Sequence, residues 1–182
     1  GFDRYGISNV PPDAFLKVSV GNEVACGLRQ DHTLRCWGST FGGQTNPPAG
    51  TFADVSAGAN VMCAVTDFGA VSCWGSSPSQ LLGHLEDIRF DRIDLGNIRF
   101  CGIDFDGETH CFRQSSNTSP PPEAYTRVAT NGNMDCGIRA EDQGIDCWNY
   151  GTLVTSGDYL PPSGAFTDID VGYDHACALD TS

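Results

Sequence analysis

Apolar residues alternate with polar ones in short runs along this chain. In the first such region they stand two residues apart in three successive pairs: Val18 and Val20, Cys26 and Leu28, and Leu34 and Cys36. A spacing of two is that of a β-strand, whereas a helix would repeat its apolar residues every three or four positions. The pattern therefore predicts three short strands in succession.

The same pattern recurs five times, so the chain is a repeat protein. Each copy is marked by a first cysteine: Cys26, Cys63, Cys101, Cys136 and Cys177. An aromatic residue stands eleven positions before each one: Phe15, Phe52, Phe90, Tyr125 and Phe166. The copies are 37, 38, 35 and 41 residues apart, a period typical of solenoids and propellers. We place the repeats at about residues 13–49, 50–87, 88–122, 123–163 and 164–182, with 1–12 as a linker.

Two further apolar positions are shared by all five copies. A β-branched residue stands eight positions before the first cysteine: Val18, Val55, Ile93, Val128 and Ile169. An aliphatic residue stands two positions after it: Leu28, Val65, Ile103, Ile138 and Leu179. Short strands cannot bury a face alone, so repeats must share a core. We predict that all ten side chains are buried between neighbouring repeats.

A small residue precedes each first cysteine by five positions. It is glycine in every repeat but the fourth, and the five residues are Gly21, Gly58, Gly96, Asn131 and Gly172. Asparagine is the residue other than glycine that best tolerates a positive φ. We therefore predict a left-handed backbone at this position.

Blades arranged around an axis would give these strands a shared core and protect the sheet edges, which predicts a β-propeller. The runs Cys73-Trp74-Gly75 and Cys36-Trp37-Gly38, the latter followed by Gly42-Gly43-Gln44, carry a resemblance. They are similar to the repeat of the regulator-of-chromosome-condensation-like β-propellers, in its extracytoplasmic, cysteine-bearing form. Phe112 departs from the pattern because it stands where the other whole repeats have tryptophan. The resemblance implies four whole blades plus one split or incomplete blade here, and a ring of seven in typical members.

A second cysteine follows the first by ten or eleven residues in four repeats, across a predicted hairpin turn rich in Asp and Gly. Cysteines on either side of such a turn face each other across strands, about 4.5–5.5 Å apart at Cα, which suits a disulfide. Zinc is the rival interpretation, but zinc-binding pairs are about two to four residues apart. We predict four disulfides and an oxidising compartment: Cys26 to Cys36, Cys63 to Cys73, Cys101 to Cys111, and Cys136 to Cys147.

Cys177 is the odd cysteine, because the sequence stops at Ser182 inside the predicted turn. We expect the native protein to continue with a strand that carries the partner cysteine, and with further blades that close a ring of about seven. The alternative is a five-bladed ring or a head-to-tail assembly. In that case residues 1–12 of the same or the next subunit would lie beside the half blade.

The composition argues against two classes of partner. Lys and Arg total 10 against 23 Asp and Glu, a net charge of −13, so the chain would repel a nucleic-acid backbone. No apolar run approaches the roughly 20 residues that cross a bilayer, so we expect no membrane insertion. The acidity is typical of a soluble, secreted protein.

Candidate chemical sites are few. Asn117, in Asn117-Thr118-Ser119, is a possible N-glycosylation site. The acidic segment 104–108 is only superficially similar to a calcium loop, and its Asp-Gly falls in a hairpin turn. His175 lies near Cys177 but has no counterpart in other repeats. We predict no catalytic residue, no metal and no cofactor, and we expect the three tryptophans to pack within the blades.

These observations favour a non-catalytic, extracellular protein-interaction module, because propeller rims present variable loops on a rigid frame. The first alternative is a structural subunit of a cell-surface appendage or filament, built from copies of itself. A further alternative is a secreted enzyme inhibitor. An enzyme is the least favoured class, since no position supplies a base, a nucleophile and an oxyanion donor together.

Overall fold

The computed structural model describes residues 3, 5–76, 85–97, 99–113, 116–117, 120–132, 134–149, 151–157, 160–173 and 175–181. Within these residues the regular structure is β-strand, with one 3-10 turn at Phe41–Gly43. In the same part of the chain, no helix has the length and apolar character that a membrane span requires. The all-β prediction is confirmed.

Each repeat forms one antiparallel sheet whose strands are neighbours in chain order. The first sheet has β1 (Phe15–Val20), β2 (Val24–Arg29) and β3 (Leu34–Gly38), and the second has β4 (Asp54–Ala57), β5 (Val61–Val65) and β6 (Val71–Gly75). The third has β7 (Phe90–Leu95), β8 (Arg99–Asp104), β9 (Thr109–Arg113) and β10 (Ser116–Asn117). The fourth has β11 (Tyr125–Asn131), β12 (Met134–Arg139), β13 (Ile145–Asn149) and β14 (Thr152–Leu153). The fifth pairs β15 (Phe166–Val171) with β16 (Ala176–Asp180).

The strand register places the two cysteines of a repeat directly opposite each other on its second and third strands. Their Cα atoms are 4.0, 4.1, 4.2 and 4.0 Å apart in repeats one to four. The structure has four disulfides, Cys26–Cys36, Cys63–Cys73, Cys101–Cys111 and Cys136–Cys147. Each bond therefore joins adjacent strands of one hairpin.

The hairpin turns occur where the Asp and Gly residues predict them. Each has one residue with positive φ: His32 at 63°, Gly69 at 80°, Gly107 at 84° and Gln143 at 61°. In the fourth repeat, a Cβ on the following Gly144 would lie 2.0 Å from Nη2 of Arg139. Gly144 thus leaves room for the guanidinium group of Arg139, and the left-handed backbone conformation falls on Gln143 instead.

The hydrophobic core is divided into four clusters, one at each junction between successive repeats. At the first junction, Leu28 of β2 packs with Val55 of β4, and at the second Val65 packs with Ile93. Ile103 and Val128 lie together at the third junction, and Ile138 and Ile169 at the fourth. Burial between repeats is thus confirmed for eight of the ten predicted side chains: Leu28, Val65, Ile103, Ile138, Val55, Ile93, Val128 and Ile169.

The prediction is wrong for Val18 and Leu179, which are 46% and 64% exposed. At the interior junctions, the equivalents of Val18 pack on the preceding repeat and those of Leu179 on the following one. Val20, on the same face of β1 as Val18, is exposed as well. Where this apolar pattern is buried, it is buried between repeats and not by contacts inside one sheet.

The prediction of a left-handed backbone five residues before each first cysteine is also wrong, since none of the five residues has positive φ. The physical reason for glycine is the closeness of the next repeat. A Cβ on Gly21 would lie 2.1 Å from the carbonyl oxygen of Gly58, and one on Gly58 would lie 2.6 Å from that of Gly96. A Cβ on Gly96 would lie 2.8 Å from Cα of Asn131. These glycines let successive backbones touch.

Neighbouring repeats are further joined by side chains of their first strands, which we call the inter-repeat acceptors: Ser19, Ser56 and Asp94. Each accepts a backbone N–H of the next repeat. Ser19 Oγ accepts from Ala57 at 2.9 Å, Ser56 Oγ from Leu95 at 2.9 Å, and Asp94 Oδ2 from Thr130 at 2.7 Å. In the fourth repeat the same position is Ala129, which has no side-chain acceptor.

Candidate functional site

The hairpin turns of successive repeats lie side by side and form a surface that we call the turn face, made of residues 30–33, 66–70, 105–108 and 140–144. Nδ1 of His32 lies 3.9 Å from Oδ1 of Asp67 in the next turn. A Cβ on Gly69 would lie 2.7 Å from Cε2 of Phe105, so that the third turn covers part of the second. The turn face is thus continuous across the first three repeats.

The turn face combines exposed carboxylates with two exposed aromatic rings. Its exposed acidic residues are Asp31, Asp67, Asp106, Glu108, Glu141 and Asp142. Phe68 is 85% exposed and Phe105 is 58% exposed. Arg139 is the cation of the fourth turn, and its hydrogen bonds to Asp142 lower the pKa of that carboxyl to about 2. The face therefore presents apolar rings in an acidic setting.

A cavity of about 530 Å³ opens beside the third turn. Its lining runs from Asp106 to Phe112 on one side and from Pro120 to Ala124 on the other. The second side is the segment that leads into the fourth repeat. The cavity therefore lies at the junction between repeats three and four.

The hydrogen bonding at this junction differs from that at the other junctions. There, the turn residue with positive φ accepts a hydrogen bond from the N–H of the next repeat's aromatic residue. Phe52 donates to His32 at 2.9 Å, and Phe90 donates to Gly69 at 3.0 Å. Among the described residues, Tyr125 makes no such bond to Gly107.

Two ligand-type side chains, Glu108 and His110, line this cavity, and a third, Asp104, contacts His110. Nε2 of His110 lies 2.8 Å from Oδ2 of Asp104. Oδ1 of Asp104 accepts backbone N–H groups from Asp106 at 3.0 Å and from Glu108 at 2.8 Å. Burial opposes ionisation of Asp104, but the hydrogen bond with His110 and these two N–H groups together hold its pKa below the usual value.

The fourth repeat uses the corresponding positions differently. There, Arg139 takes the place of Asp104 and forms an ion pair with Asp146, which takes the place of His110. Both hairpins thus join their second and third strands by one polar pair next to the turn. Glu108 has no role in such a pair, and its carboxylate makes no hydrogen bond within the described part of the chain.

The other predicted site residues are spread over the molecule. Cys177 is exposed and unbonded. Asn117 belongs to β10, while Thr118 and Ser119 of its sequon lie outside the described residues, so glycosylation stays a prediction. Trp74 and Trp148 are buried, and Nε1 of Trp74 donates to the carbonyl oxygen of Gln44 at 2.8 Å. Packing of these two tryptophans is confirmed.

The sequence did not predict the group formed by Asp104, Glu108 and His110. The acidic segment 104–108 is only superficially similar to a calcium loop, and histidine recurs at no fixed position of the repeat. The available signal was the alternation itself. Asp104 is the last residue of one strand and His110 is the second residue of the next, so both lie at the same end of a hairpin.

No protein-family model matches this chain, and no curated protein sequence matches it. Solved structures do match. The chain is 26% identical to the CRINKLY WD40 ectodomain of the Arabidopsis thaliana receptor kinase ACR4, with a TM-score of 0.69, and the match covers 92% of this chain and 60% of that one. For the ectodomain of the Physcomitrella patens receptor kinase CR4, the identity is 19%, the TM-score 0.76, and the coverage 100% and 52%.

A third similar structure is Prp20p of Saccharomyces cerevisiae, at 10% identity and a TM-score of 0.71, covering 92% of this chain and 56% of that one. Another structure names the yeast protein RCC1 (Prp20). The chain therefore spans a little over half the length of the propellers that it matches. Together with the sheets described above, these likenesses show that the fold is that of a β-propeller.

Proposed function

We propose that the chain is part of an extracellular, non-catalytic protein-interaction module of the regulator-of-chromosome-condensation-like type. Support comes from the four disulfides, which are typical of oxidising compartments, and from the likeness to two receptor ectodomains. The cavity lining also fits a non-catalytic role. Cys111 is held in a disulfide, and the Thr109 hydroxyl is buried, so neither is a nucleophile available to His110.

The observation that carries the proposal is the exposed aromatic pair on the acidic turn face. Exposed aromatic side chains are the anchors that most often dominate protein interfaces. Phe68 and Phe105 stand on neighbouring turns, where Phe105 packs over Gly69. The surrounding carboxylates favour a partner with Lys or Arg near an apolar contact, since complementary charge speeds association and selects partners.

The test is selection of peptides from a random library on the oxidised protein, followed by measurement of their affinities for variants. We expect enriched peptides to combine basic and apolar residues, and Phe68→Ser or Phe105→Ser to weaken binding by at least about tenfold, as a hot spot worth 1.4 kcal/mol does. Phe41→Ser is the matched control. Phe41 is equally exposed but lies after β3, at the opposite end of the sheet.

Binders that are indifferent to Phe68 and Phe105, or that lose as much affinity with Phe41→Ser, would contradict the proposal. Affinity that falls steeply with added salt would support the charge argument, because screening weakens attraction between exposed charges. Affinity without salt dependence would restrict the proposal to the aromatic contact.

Assembly from copies of the chain is a second candidate, favoured by the exposed end faces. Val18 and Val20 form an exposed apolar patch on β1, and Leu179 is exposed on β16. At every interior junction the equivalents of Val18 and Leu179 pack against each other. Concentration-dependent association in sedimentation, abolished by Val18→Asp, is the expected result, and a monomer at all concentrations contradicts it.

A further inference from the structure

The ligand atoms of Asp104, Glu108 and His110 all lie within 4.8 Å of one another. They come from one hairpin: Asp104 ends β8, Glu108 belongs to the turn, and His110 lies in β9. The disulfide of Cys101 and Cys111 crosses the same hairpin next to His110. The three groups are therefore held by a short, doubly fixed element of the backbone.

The orientation of Asp104 is fixed independently of His110. Its Oδ1 is occupied by the backbone N–H groups of Asp106 and Glu108, which leaves Oδ2 on the side of the imidazole. The His110 ring is held edge-on against Phe90, with 5.8 Å between ring centroids. Such supporting contacts orient the groups that bind an ion.

We propose that Asp104, Glu108 and His110 bind a divalent transition metal ion, with Zn²⁺ as the best fit. Imidazole nitrogen and carboxylate oxygen both bind zinc and similar ions. Calcium would need six to eight oxygen ligands at roughly 2.3–2.6 Å, and this hairpin offers too few. The inference does not depend on the proposed protein interaction.

The fold does not require this set of side chains. At the same places the first repeat has Arg29, Thr33 and Arg35, and the second has Thr66, Ala70 and Ser72. Both form the same disulfide-bonded hairpin without a ligand set. The strand pairing in the third repeat therefore leaves the presence of Glu108 unexplained.

Solvent reaches the three groups. Glu108 is exposed, and Glu108 and His110 both line the cavity. A water bound to the ion from that side would complete four-fold coordination.

Ion binding requires one local adjustment. Two ligands bound at about 2.0–2.2 Å to a tetrahedral ion stand roughly 3.4 Å apart. Nε2 of His110 and Oδ2 of Asp104 are 2.8 Å apart, so they must separate by about half an ångström. A small rotation of the His110 side chain, which is 20% exposed, provides a movement of that size.

The experiment measures Zn²⁺ affinity of the oxidised, metal-free protein by competition with a chromogenic chelator and by calorimetry. We expect one ion to bind per chain. Glu108→Gln and His110→Gln are each expected to weaken the Zn²⁺ affinity by more than about tenfold, because even mutation of a residue that only supports a metal ligand weakens affinity by that factor. Glu108→Gln is the more decisive variant. Its exposed side chain makes no described contact, so the fold is expected to survive, which circular dichroism checks.

Matched controls come from sites of the same residue types. His32→Gln removes a histidine near Asp67, and Glu141→Gln removes an exposed turn glutamate in the fourth repeat. Both are expected to change affinity less than about twofold, the scatter of a site without ligands. The series is repeated in a Cys177→Ser background, because the exposed thiol of Cys177 could itself bind zinc.

Two outcomes would overturn the inference. The first is affinity weaker than about 1 mM in the Cys177→Ser background. The second is tight binding that Glu108→Gln and His110→Gln leave unchanged.

Discussion

The first and second repeats share one sequence pattern but place it in different surroundings. Val55 is fully buried against Leu28 of the preceding repeat, whereas Val18, its equivalent, is 46% exposed. The two sheets have the same strand order and the same disulfide. The apolar pattern therefore marks contacts between repeats, whereas the hairpin and its disulfide form from residues of a single repeat.

The largest expected effect separates these two valines. Val55→Asp places a carboxylate without a partner at a fully buried site, and we expect it to cost more than about 4 kcal/mol and prevent folding. Val18→Asp is expected to cost less than about 1 kcal/mol, because water still reaches that face. Urea unfolding of the oxidised proteins measures both. Equal losses would show that β1 and β4 do not pack as described.

Val65→Asp provides a second measurement on the same junction pattern. Val65 is fully buried at the junction with the third repeat. Leu179 occupies the equivalent position in the fifth repeat, where it is exposed. We expect Val65→Asp to abolish folding and Leu179→Asp to be tolerated. Normal expression and thermal stability of Val65→Asp would mean that the strand register is wrong.

The third junction differs from the first two because its inter-repeat acceptor is ionisable. Asp94 stands where the earlier repeats have Ser19 and Ser56, and it accepts hydrogen bonds from Ser56 and Thr130. Part of its surface is accessible, but protein atoms surround it on most sides. This burial raises the pKa of Asp94 to about 6, from a usual value of 3.8.

A raised carboxyl pKa makes folding favour the protonated form. The stabilisation is therefore complete below pH 3.8, and it is lost as the pH rises through about 6. At most about 3 kcal/mol is involved, at 1.36 kcal/mol per pKa unit. We expect Asp94→Asn to gain stability relative to the native protein between pH 4 and pH 7. A constant difference across that range would contradict the raised pKa.

The smallest effect concerns the close backbone approach. A Cβ on Gly58 would lie 2.6 Å from a backbone oxygen of Gly96, which cannot move alone, so Gly58→Ala is expected to cost about 1–3 kcal/mol. In Gly172→Ala the new Cβ meets only the ring of His175, which can rotate away. We expect a loss below about 1 kcal/mol there, measured by the same urea titration. Equal losses at the two positions would contradict the explanation by backbone contact.

Local features of this fold could be predicted from the sequence. The spacing of two fixes the strands, and equal distances from an Asp-Gly turn bring Cys63 opposite Cys73, because both depend on residues close together in the chain. The role of Gly58 could not be found in this way. Glycine is needed at position 58 because the backbone of Gly96, 38 residues later, lies against it. An alignment of the repeats shows only that four of the five residues at this position are glycine.

The group of Asp104, Glu108 and His110 was missed for a different reason. Comparison of repeats emphasises what they share, and His110 is present in only one of them. The cavity beside it lies at the junction where, among the described residues, Tyr125 does not bond to Gly107, a difference that composition does not reveal. Features unique to one repeat are therefore where sequence comparison says least and where the structure adds most.

The inter-repeat acceptors have a consequence for how such a chain can grow during evolution. Each of the first three repeats carries an acceptor for the repeat that follows. The second, third and fourth repeats present, one residue further along, a backbone donor to the repeat that precedes. A gene duplication of one unit therefore copies both halves of the contact together. The new unit would join its neighbours at once, and selection could then alter a single turn, as in the third repeat, without disturbing the others.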